Sequence, residues 1–216
     1  MDYLAPKYLI LLVIVPMSDP KTPPSKIDIA LLEPFVGLGM GHIVLVKDAE
    51  GAESARDELL AAGEVGFDTE SKPTFLKGQK SEGPHVLQFS TAEKAFIFQS
   101  HVESSRSVIM ELLKSEKLVK IGFGLDGDLH QISQRFGIRP ASIVDLDRSF
   151  RKLGYRNPIG AKSAVAIYFN RKLQKSKSIT TSNWAARELT DGQLIYAAND
   201  AYAAIKVFHA LREIGG

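Results

Sequence analysis

Residues 64–70 decide how this chain folds, and they read Glu64-Val65-Gly66-Phe67-Asp68-Thr69-Glu70. The apolar beginning predicts a buried β-strand. Asp68 and Glu70 are two residues apart, so on a strand their side chains point to the same face. Two neighbouring carboxylates repel each other unless a cation or water compensates them. An Asp-x-Glu pair at a strand end is often only a solvated turn, so this stretch alone does not define a site.

The segments around this strand alternate in a way that predicts an α/β fold. Two β-type runs follow it as a hairpin, at 85–90 and 95–99, and further strands are expected at 43–46 and 118–123. Helical periodicity marks 52–62, 104–116 and a long final segment from 191. Strands that first pair as a meander and then alternate with helices indicate a mixed β-sheet of about five strands flanked by helices.

Two further acidic positions lie far from the first pair in the sequence. Asp128 follows a Gly-rich turn near the start of a predicted helix, where it either caps that helix or presents a carboxylate into a cleft. Tyr196 and Asp200 are four residues apart on the final helix and therefore share one helix face. Ala197 and Ala198 lie between them and are small enough for that helix to approach a sheet closely.

Three segments occur in a fixed order: Phe67-Asp68-Thr69-Glu70, Gly124-Leu125-Asp126-Gly127-Asp128 and Tyr196-Ala197-Ala198-Asn199-Asp200. The run Ser182-Asn183-Trp184 precedes the third segment. Together they resemble the motifs of the DEDDy 3′→5′ exonucleases, in particular ribonuclease D and the exonuclease domain of the Werner syndrome helicase. The resemblance covers roughly residues 43–211. It implies a ribonuclease H-like fold.

The resemblance also implies a catalytic site with two Mg²⁺ or Mn²⁺ ions. Asp68 would bridge both ions, Glu70 and Asp200 would bind the first, and Asp128 would bind the second. Tyr196 would orient the attacking water, and its presence assigns the chain to the Tyr type of the family. The family has a Trp two residues after the second-motif Asp in Werner-type domains, whereas this chain has His130.

Basic residues are concentrated in one part of the chain, which indicates a surface for a polyanion. Between residues 148 and 187 there are ten Lys or Arg residues and no Asp or Glu, which leaves 17 basic and 25 acidic residues, a net charge of about −8, elsewhere. The candidate contacts to single-stranded or 3′-ended DNA or RNA are Lys175, Lys177, Arg187, Arg171 and Lys172. Trp184 either stacks on a base or, more in keeping with its context, packs in the core.

The predicted function is a two-metal-ion 3′→5′ exonuclease that releases nucleoside monophosphates from DNA, RNA or both. An alternative is a nuclease-like module that binds nucleic acid without cutting it. A third reading is an oxidoreductase with Gly122-x-Gly124-x-x-Gly127 as a dinucleotide fingerprint and Asp145 as its acidic partner. Asp126 and Asp128 would repel a pyrophosphate at that turn, so no nicotinamide cofactor is expected.

The chain has 216 residues, 44% of them hydrophobic, and no cysteine, so thiolate chemistry is excluded. We expect an exonuclease domain at 41–216 and an N-terminal extension at 1–40. The apolar run at 8–15 is too short to cross a membrane as a helix, and Met17 is an alternative start. We therefore expect a cytoplasmic protein with no membrane partner.

Overall fold

A six-stranded mixed β-sheet forms the centre of the computed structural model, which describes residues 21–74, 78 and 81–215. Its strands are β1 (Ile43–Val46), β2 (Glu64–Glu70), β3 (Val86–Ser90), β4 (Ala95–Gln99), β5 (Val119–Gly122) and β6 (Ile143–Asp145). Their order across the sheet is β1-β4-β3-β2-β5-β6. Strand β3 runs antiparallel to β2 and β4, and the other neighbours are parallel. The predicted mixed sheet is confirmed, with six strands where about five were expected.

Helices cover both faces of this sheet, and each face has its own apolar core. The helices are α1 (Lys26–Leu31), α2 (Ala49–Ala62), α3 (Arg106–Lys114), α4 (Asp126–Phe136), α5 (Leu146–Lys152), α6 (Ala161–Phe169), α7 (Lys177–Thr180) and α8 (Asp191–Gly215). Helices α2, α3 and α4 contribute to one core, which includes Phe67 of β2. Helices α5, α6 and α8 contribute to a core that includes Ile121 of β5.

Helix α8 lies directly on β2, and small residues make this contact possible. Ala197, Ala198 and Ala201 are fully buried, as expected for a helix that packs closely on a sheet. Gly66 of β2 faces the helix: a Cβ atom added to it would lie 1.8 Å from the carbonyl oxygen of Ala201. The missing side chain at Gly66 therefore sets how closely the last helix approaches the central strand.

The segment before β1 is attached to the rest of the molecule by main-chain hydrogen bonds. Phe35 N–H donates to the carbonyl of Lys172 at 2.9 Å, and Lys172 N–H donates to the carbonyl of Glu33 at 2.8 Å. The apolar run at 8–15 and the alternative start at Met17 lie outside the described residues. The domain boundary at residue 41 stays a prediction. Within the described ranges, no helix has the length and apolar character needed to cross a membrane.

Candidate active site

Three of the four predicted acidic residues meet at one place beside the sheet. Asp68 and Glu70 project from the same face of β2, and Asp200 projects towards them from α8. One carboxylate oxygen from each of the three lies within 4.8 Å of the others. Asp200 has only 4% of its side chain exposed, so it is not the surface residue that an amphipathic helix alone would suggest.

Asp128 lies next to this group but not within it. It belongs to the first turn of α4, two residues after the helix begins, and does not cap the helix. The hydroxyl of Thr69 donates a hydrogen bond to the carboxylate of Asp128. Thr69 lies between Asp68 and Glu70 in the sequence, and its N–H donates to Asp68 Oδ1 at 2.9 Å. One short segment of β2 therefore connects Asp128 to the other acids.

Burial and crowding raise the pKa values of all four carboxyl groups above their ordinary values. Burial, and then the neighbouring Asp68, raise the pKa of Glu70 to about 9. Burial, and then the charges of Asp200 and Asp128, raise the pKa of Asp68 well above its usual value. Burial also raises the pKa values of Asp128 and Asp200. The ionised carboxylates repel one another unless a positive charge is nearby, and a bound cation would remove this repulsion.

Lys175 supplies one such charge in this structure. Its Nζ atom lies 2.7 Å from Asp200 Oδ2, and 23% of its side chain is exposed. The same ammonium group lies 5.6 Å from the centre of the Tyr196 ring. Burial alone would lower the pKa of Lys175, but Asp200 and Asp68 raise it above its ordinary value, so the group is charged. A residue predicted to contact phosphate thus lies among the carboxylates.

Tyr196 is buried beside Asp200, one helical turn earlier on α8. Its hydroxyl forms a 2.9 Å hydrogen bond with Thr180 Oγ1. Burial, and then the charge of Asp200, raise the pKa of Tyr196 to about 12. The phenol therefore keeps its proton at neutral pH and suits a positioning role rather than the role of a base.

Gln88 is a residue near the site that the sequence did not identify. It pairs with Asp68 across the β2–β3 ladder, so the two side chains lie on the same face of the sheet. Gln88 is fully buried, and neither its amide nitrogen nor its amide oxygen has a hydrogen-bond partner among the described residues. Its sequence context, Leu87-Gln88-Phe89, predicts an apolar strand and gives no signal for a polar group under helix α8.

The predicted nucleic-acid contacts are divided between the site and the surface. Lys177, Arg187 and Arg171 are exposed. Lys172 is partly buried, and its Nζ donates to the main-chain carbonyl of Ala30 at 2.9 Å. Lys175 alone of the five forms an ion pair with one of the predicted metal ligands. Their role in binding nucleic acid stays a prediction.

The Gly-rich turn at 122–127 has an internal partner. Asp145 Oδ1 accepts from the N–H of Gly124 at 3.0 Å, and Asp145 Oδ2 accepts from the N–H of Leu125 at 3.2 Å. The main-chain donors that a pyrophosphate would require therefore bind a carboxylate of the protein itself. The dinucleotide reading, which took Asp145 as the acidic partner of the fingerprint, is wrong about this turn.

Trp184 belongs to an apolar cluster formed with residues of α8 and β4, which agrees with the packing interpretation. It is fully buried, and its ring centre lies 5.9 Å from that of Tyr196. Its indole N–H donates to the carbonyl of Thr180 at 3.3 Å. His130, which stands where Werner-type domains have a Trp, is exposed and hydrogen-bonded to Gln134. The Trp184 ring therefore packs against the Tyr196 ring and helps to hold it in place.

The donor atoms of the cluster fit a hard divalent cation. Asp68, Glu70 and Asp200 offer only carboxylate oxygens, which are the ligands that Mg²⁺ and Mn²⁺ prefer. Three converging acids with raised pKa values also resemble the arrangement of functional sites more than that of structural ion pairs. The residues present thus suit the metals that the sequence motifs imply.

A mixed sheet flanked by helices, with acids that converge from β2 and α8 and a further acid on α4 beside them, defines the class as a ribonuclease H-like nuclease fold. The sequence model of the 3′-5′ exonuclease family matches residues 43–215. The chain therefore belongs to the 3′-5′ exonuclease family, and its motifs are of the DEDDy type.

Among relatives, the chain is 32% identical over 185 residues to the mouse bifunctional 3′-5′ exonuclease/ATP-dependent helicase WRN. The match covers 81% of this chain but only 13% of the mouse protein. The solved structure of the Aedes aegypti Nibbler EXO domain superposes with a TM-score of 0.71 at 21% identity, covering 83% of this chain and 92% of that chain. Trypanosoma brucei RNase D in complex with RNA U12 gives a TM-score of 0.69 at 19% identity, with 78% and 62% covered.

Proposed function

We propose that this chain is a metal-dependent exonuclease that hydrolyses phosphodiester bonds at the 3′ ends of DNA or RNA and releases nucleoside monophosphates. The observation that carries the proposal is the meeting of Asp68, Glu70 and Asp200, with oxygens within 4.8 Å of one another. Asp128 lies beside them, and its carboxylate accepts a hydrogen bond from the hydroxyl of Thr69.

The acids would hold two divalent cations between them. Asp68 is assigned to both ions, Glu70 and Asp200 to the first, and Asp128 to the second. Two bound ions stabilise the attacking and the leaving oxygen of an in-line phosphodiester displacement. Asp128 lies outside the group of three, which suits its assignment to the second ion rather than to the first.

Tyr196 would position the water that attacks the terminal phosphate. Its hydroxyl is held by Thr180, its ring packs against Trp184, and its pKa of about 12 keeps the proton in place at neutral pH. A fixed phenol can donate or accept one hydrogen bond to water and so restrict the direction of attack. Proton removal is left to other groups.

For the substrate, we propose a single-stranded 3′ end. The neighbour from Trypanosoma brucei is described as an RNase D complex with RNA U12, while the mouse relative is an exonuclease joined to an ATP-dependent helicase. The complex with RNA favours RNA, the resemblance to Werner-type domains favours DNA, and we propose activity on both. The exposed side chains of Lys177, Arg187 and Arg171 are suited to backbone phosphates, which carry no base identity.

The alternative is a module that binds nucleic acid but does not cut it. All four acids and Tyr196 are present, and three of the acids already converge, so no residue of the proposed machinery has been replaced. The two functions differ in a single property, which is the release of mononucleotides in the presence of Mg²⁺ or Mn²⁺.

Matched DNA and RNA oligonucleotides, labelled at the 5′ end, test the proposal. With Mg²⁺ or Mn²⁺ we expect a ladder of products shortened one nucleotide at a time from the 3′ end, and no products in EDTA. Asp68→Asn should give no ladder, whereas Asp57→Asn, on the exposed surface of α2, should cleave normally. Binding of the oligonucleotide without cleavage by the unmodified protein would support the non-cutting module instead.

A further inference from the structure

Lys175 places a positive charge directly beside one of the clustered acids. Its ammonium group is 2.7 Å from Asp200 Oδ2, and Asp200 is one of the three acids with oxygens within 4.8 Å of one another. The pair is largely shielded from water, since 23% of the Lys175 side chain and 4% of the Asp200 side chain are exposed. An exposed ion pair has little effect on a protein, but a shielded pair interacts strongly.

The position of Lys175 has an electrostatic reason. Removing several carboxylates from water without a positive charge is strongly unfavourable. Lys175 reaches the cluster from the segment between α6 and α7, and the face of the Tyr196 ring, 5.6 Å from Nζ, gives it a second favourable contact. The ammonium group therefore offsets part of the negative charge of the acids.

We propose that Lys175 is an internal counter-ion that competes with the divalent cation for Asp200, so that metal binding releases its ammonium group from the carboxylate. This inference rests on the proposed function, because it concerns the metal-binding site of that reaction. A dication bound to the Asp200 carboxylate would lie close to the Lys175 ammonium group, which is 2.7 Å from Oδ2, and the two positive charges would repel each other.

Once released from Asp200, the ammonium group of Lys175 would be able to bind another anion. Its side chain is a flexible stem with a point charge at the end, and it can reach a different anion by rotating its own bonds. The anion that arrives at this place in the proposed reaction is a phosphate of the nucleic acid. The phosphate contact predicted from the sequence and the Asp200 contact in the structure are then two positions of one side chain.

Calorimetric titration of the full chain with MgCl₂ at pH 8, without nucleic acid, tests the competition. Lys175→Met removes the ammonium group but keeps much of the apolar stem, and we expect it to bind Mg²⁺ about tenfold more tightly than the unmodified protein. Lys117→Met removes a charge from an exposed position before β5 and should leave the Mg²⁺ affinity within about twofold. An unchanged or weaker Mg²⁺ affinity for Lys175→Met would overturn the proposal.

Thermal unfolding adds a result that a purely structural role for Lys175 would not produce. In EDTA the Lys175→Met variant should unfold at a lower temperature than the unmodified protein, because its acids have lost their counter-ion. At saturating Mg²⁺ this difference should disappear, since the bound ion replaces the ammonium group. A difference of the same size in both conditions would contradict the competition.

The outcome is separable from that of the proposed function. Mg²⁺ binding by the unmodified protein together with an unchanged affinity in Lys175→Met would overturn the role of Lys175 and leave the exonuclease proposal intact. Tighter Mg²⁺ binding in Lys175→Met, combined with no cleavage of any oligonucleotide by the unmodified protein, would support the counter-ion and reject the exonuclease activity.

Discussion

Gly66 of β2 and Ala201 of α8 approach so closely that a Cβ atom on Gly66 would lie 1.8 Å from the Ala201 carbonyl oxygen. Gly66 precedes Asp68 by two residues on the same face of the strand, and Ala201 directly follows Asp200. The contact between the two main chains therefore brings their neighbouring carboxylates together. The convergence of the carboxylates therefore depends on a glycine that carries no chemistry of its own.

Replacing this glycine should harm both stability and the site. In Gly66→Ala the new methyl group has to push α8 away from β2, and overpacking of this kind typically lowers the free energy of unfolding by about 1–3 kcal/mol. Chemical denaturation followed by circular dichroism measures the loss. Gly41→Ala places a methyl group in open space and should change stability by less than about 0.5 kcal/mol. If Gly66→Ala and Gly41→Ala were equally stable, the contact between Gly66 and Ala201 would leave room for a side chain at position 66.

Asp68→Asn should remove cleavage without unfolding the protein. Asp68 is half-buried beside two other acids, and burial together with their charges raises its pKa, so a neutral amide relieves repulsion in EDTA. We expect an unfolding temperature equal to or above that of the unmodified protein in EDTA, and a much smaller rise on addition of Mg²⁺. The exposed Asp57→Asn variant should keep the full rise. A normal Mg²⁺ response in Asp68→Asn would remove Asp68 from the ligand set.

Tyr196→Phe should slow cleavage but spare metal binding. The substitution removes only the hydroxyl that Thr180 holds at 2.9 Å, and the loss of a positioning contact at a reacting water can reduce the rate by about 100-fold. Mg²⁺ affinity should stay within about twofold by calorimetry. Thr180→Val, which frees the hydroxyl, should slow cleavage less than Tyr196→Phe does. A rate for Tyr196→Phe equal to that of the unmodified protein would contradict the positioning role.

The raised pKa of Glu70 predicts how stability in EDTA depends on pH. The folded protein keeps this proton up to a pKa of about 9, whereas the unfolded chain loses it near 4.5. Between these values the folded state binds more protons than the unfolded state, so stability should fall as pH rises from about 4.5 to about 9. Glu70→Gln should make this part of the profile flatter. Mg²⁺ affinity should rise over the same range, because the metal displaces the proton.

Gln88 allows a test of the unpaired amide. Replacing it with Leu removes a buried donor and acceptor that have no partner within the described part of the chain, and should raise stability in EDTA by about 1–3 kcal/mol. The control is Gln99→Leu on the neighbouring strand, because Gln99 Nε2 donates to the carbonyl of Ala186 at 2.9 Å. That variant should lose stability. A loss in both variants would indicate that the Gln88 amide is hydrogen-bonded in solution.

The sequence was sufficient for the parts of the site that lie on regular elements. The two-residue spacing of Asp68 and Glu70 and the four-residue spacing of Tyr196 and Asp200 follow the periods of a strand and a helix, so local pattern places each pair on one face. The small residues Ala197 and Ala198 likewise indicate the close packing of α8 that the structure contains.

The remaining features depend on contacts between distant segments and have no local signal. The Lys175–Asp200 pair joins a loop to a helix, and the stretch 148–187, with its ten Lys or Arg residues, suggests only an exposed surface. Asp145 follows the Gly-rich turn by about twenty residues, a spacing that also fits a dinucleotide site, and its hydrogen bonds to Gly124 and Leu125 show that it binds the turn itself. In each case, only the three-dimensional structure shows which groups are in contact.

The most direct test of the central claim is anomalous diffraction from a crystal of the protein soaked with MnCl₂. We predict a strong peak within bonding distance of Asp68, Glu70 and Asp200, and a second, weaker peak on the side of Asp128, with Lys175 Nζ moved away from Asp200. The absence of any anomalous peak near these four carboxylates, at a saturating concentration of MnCl₂, would contradict the account.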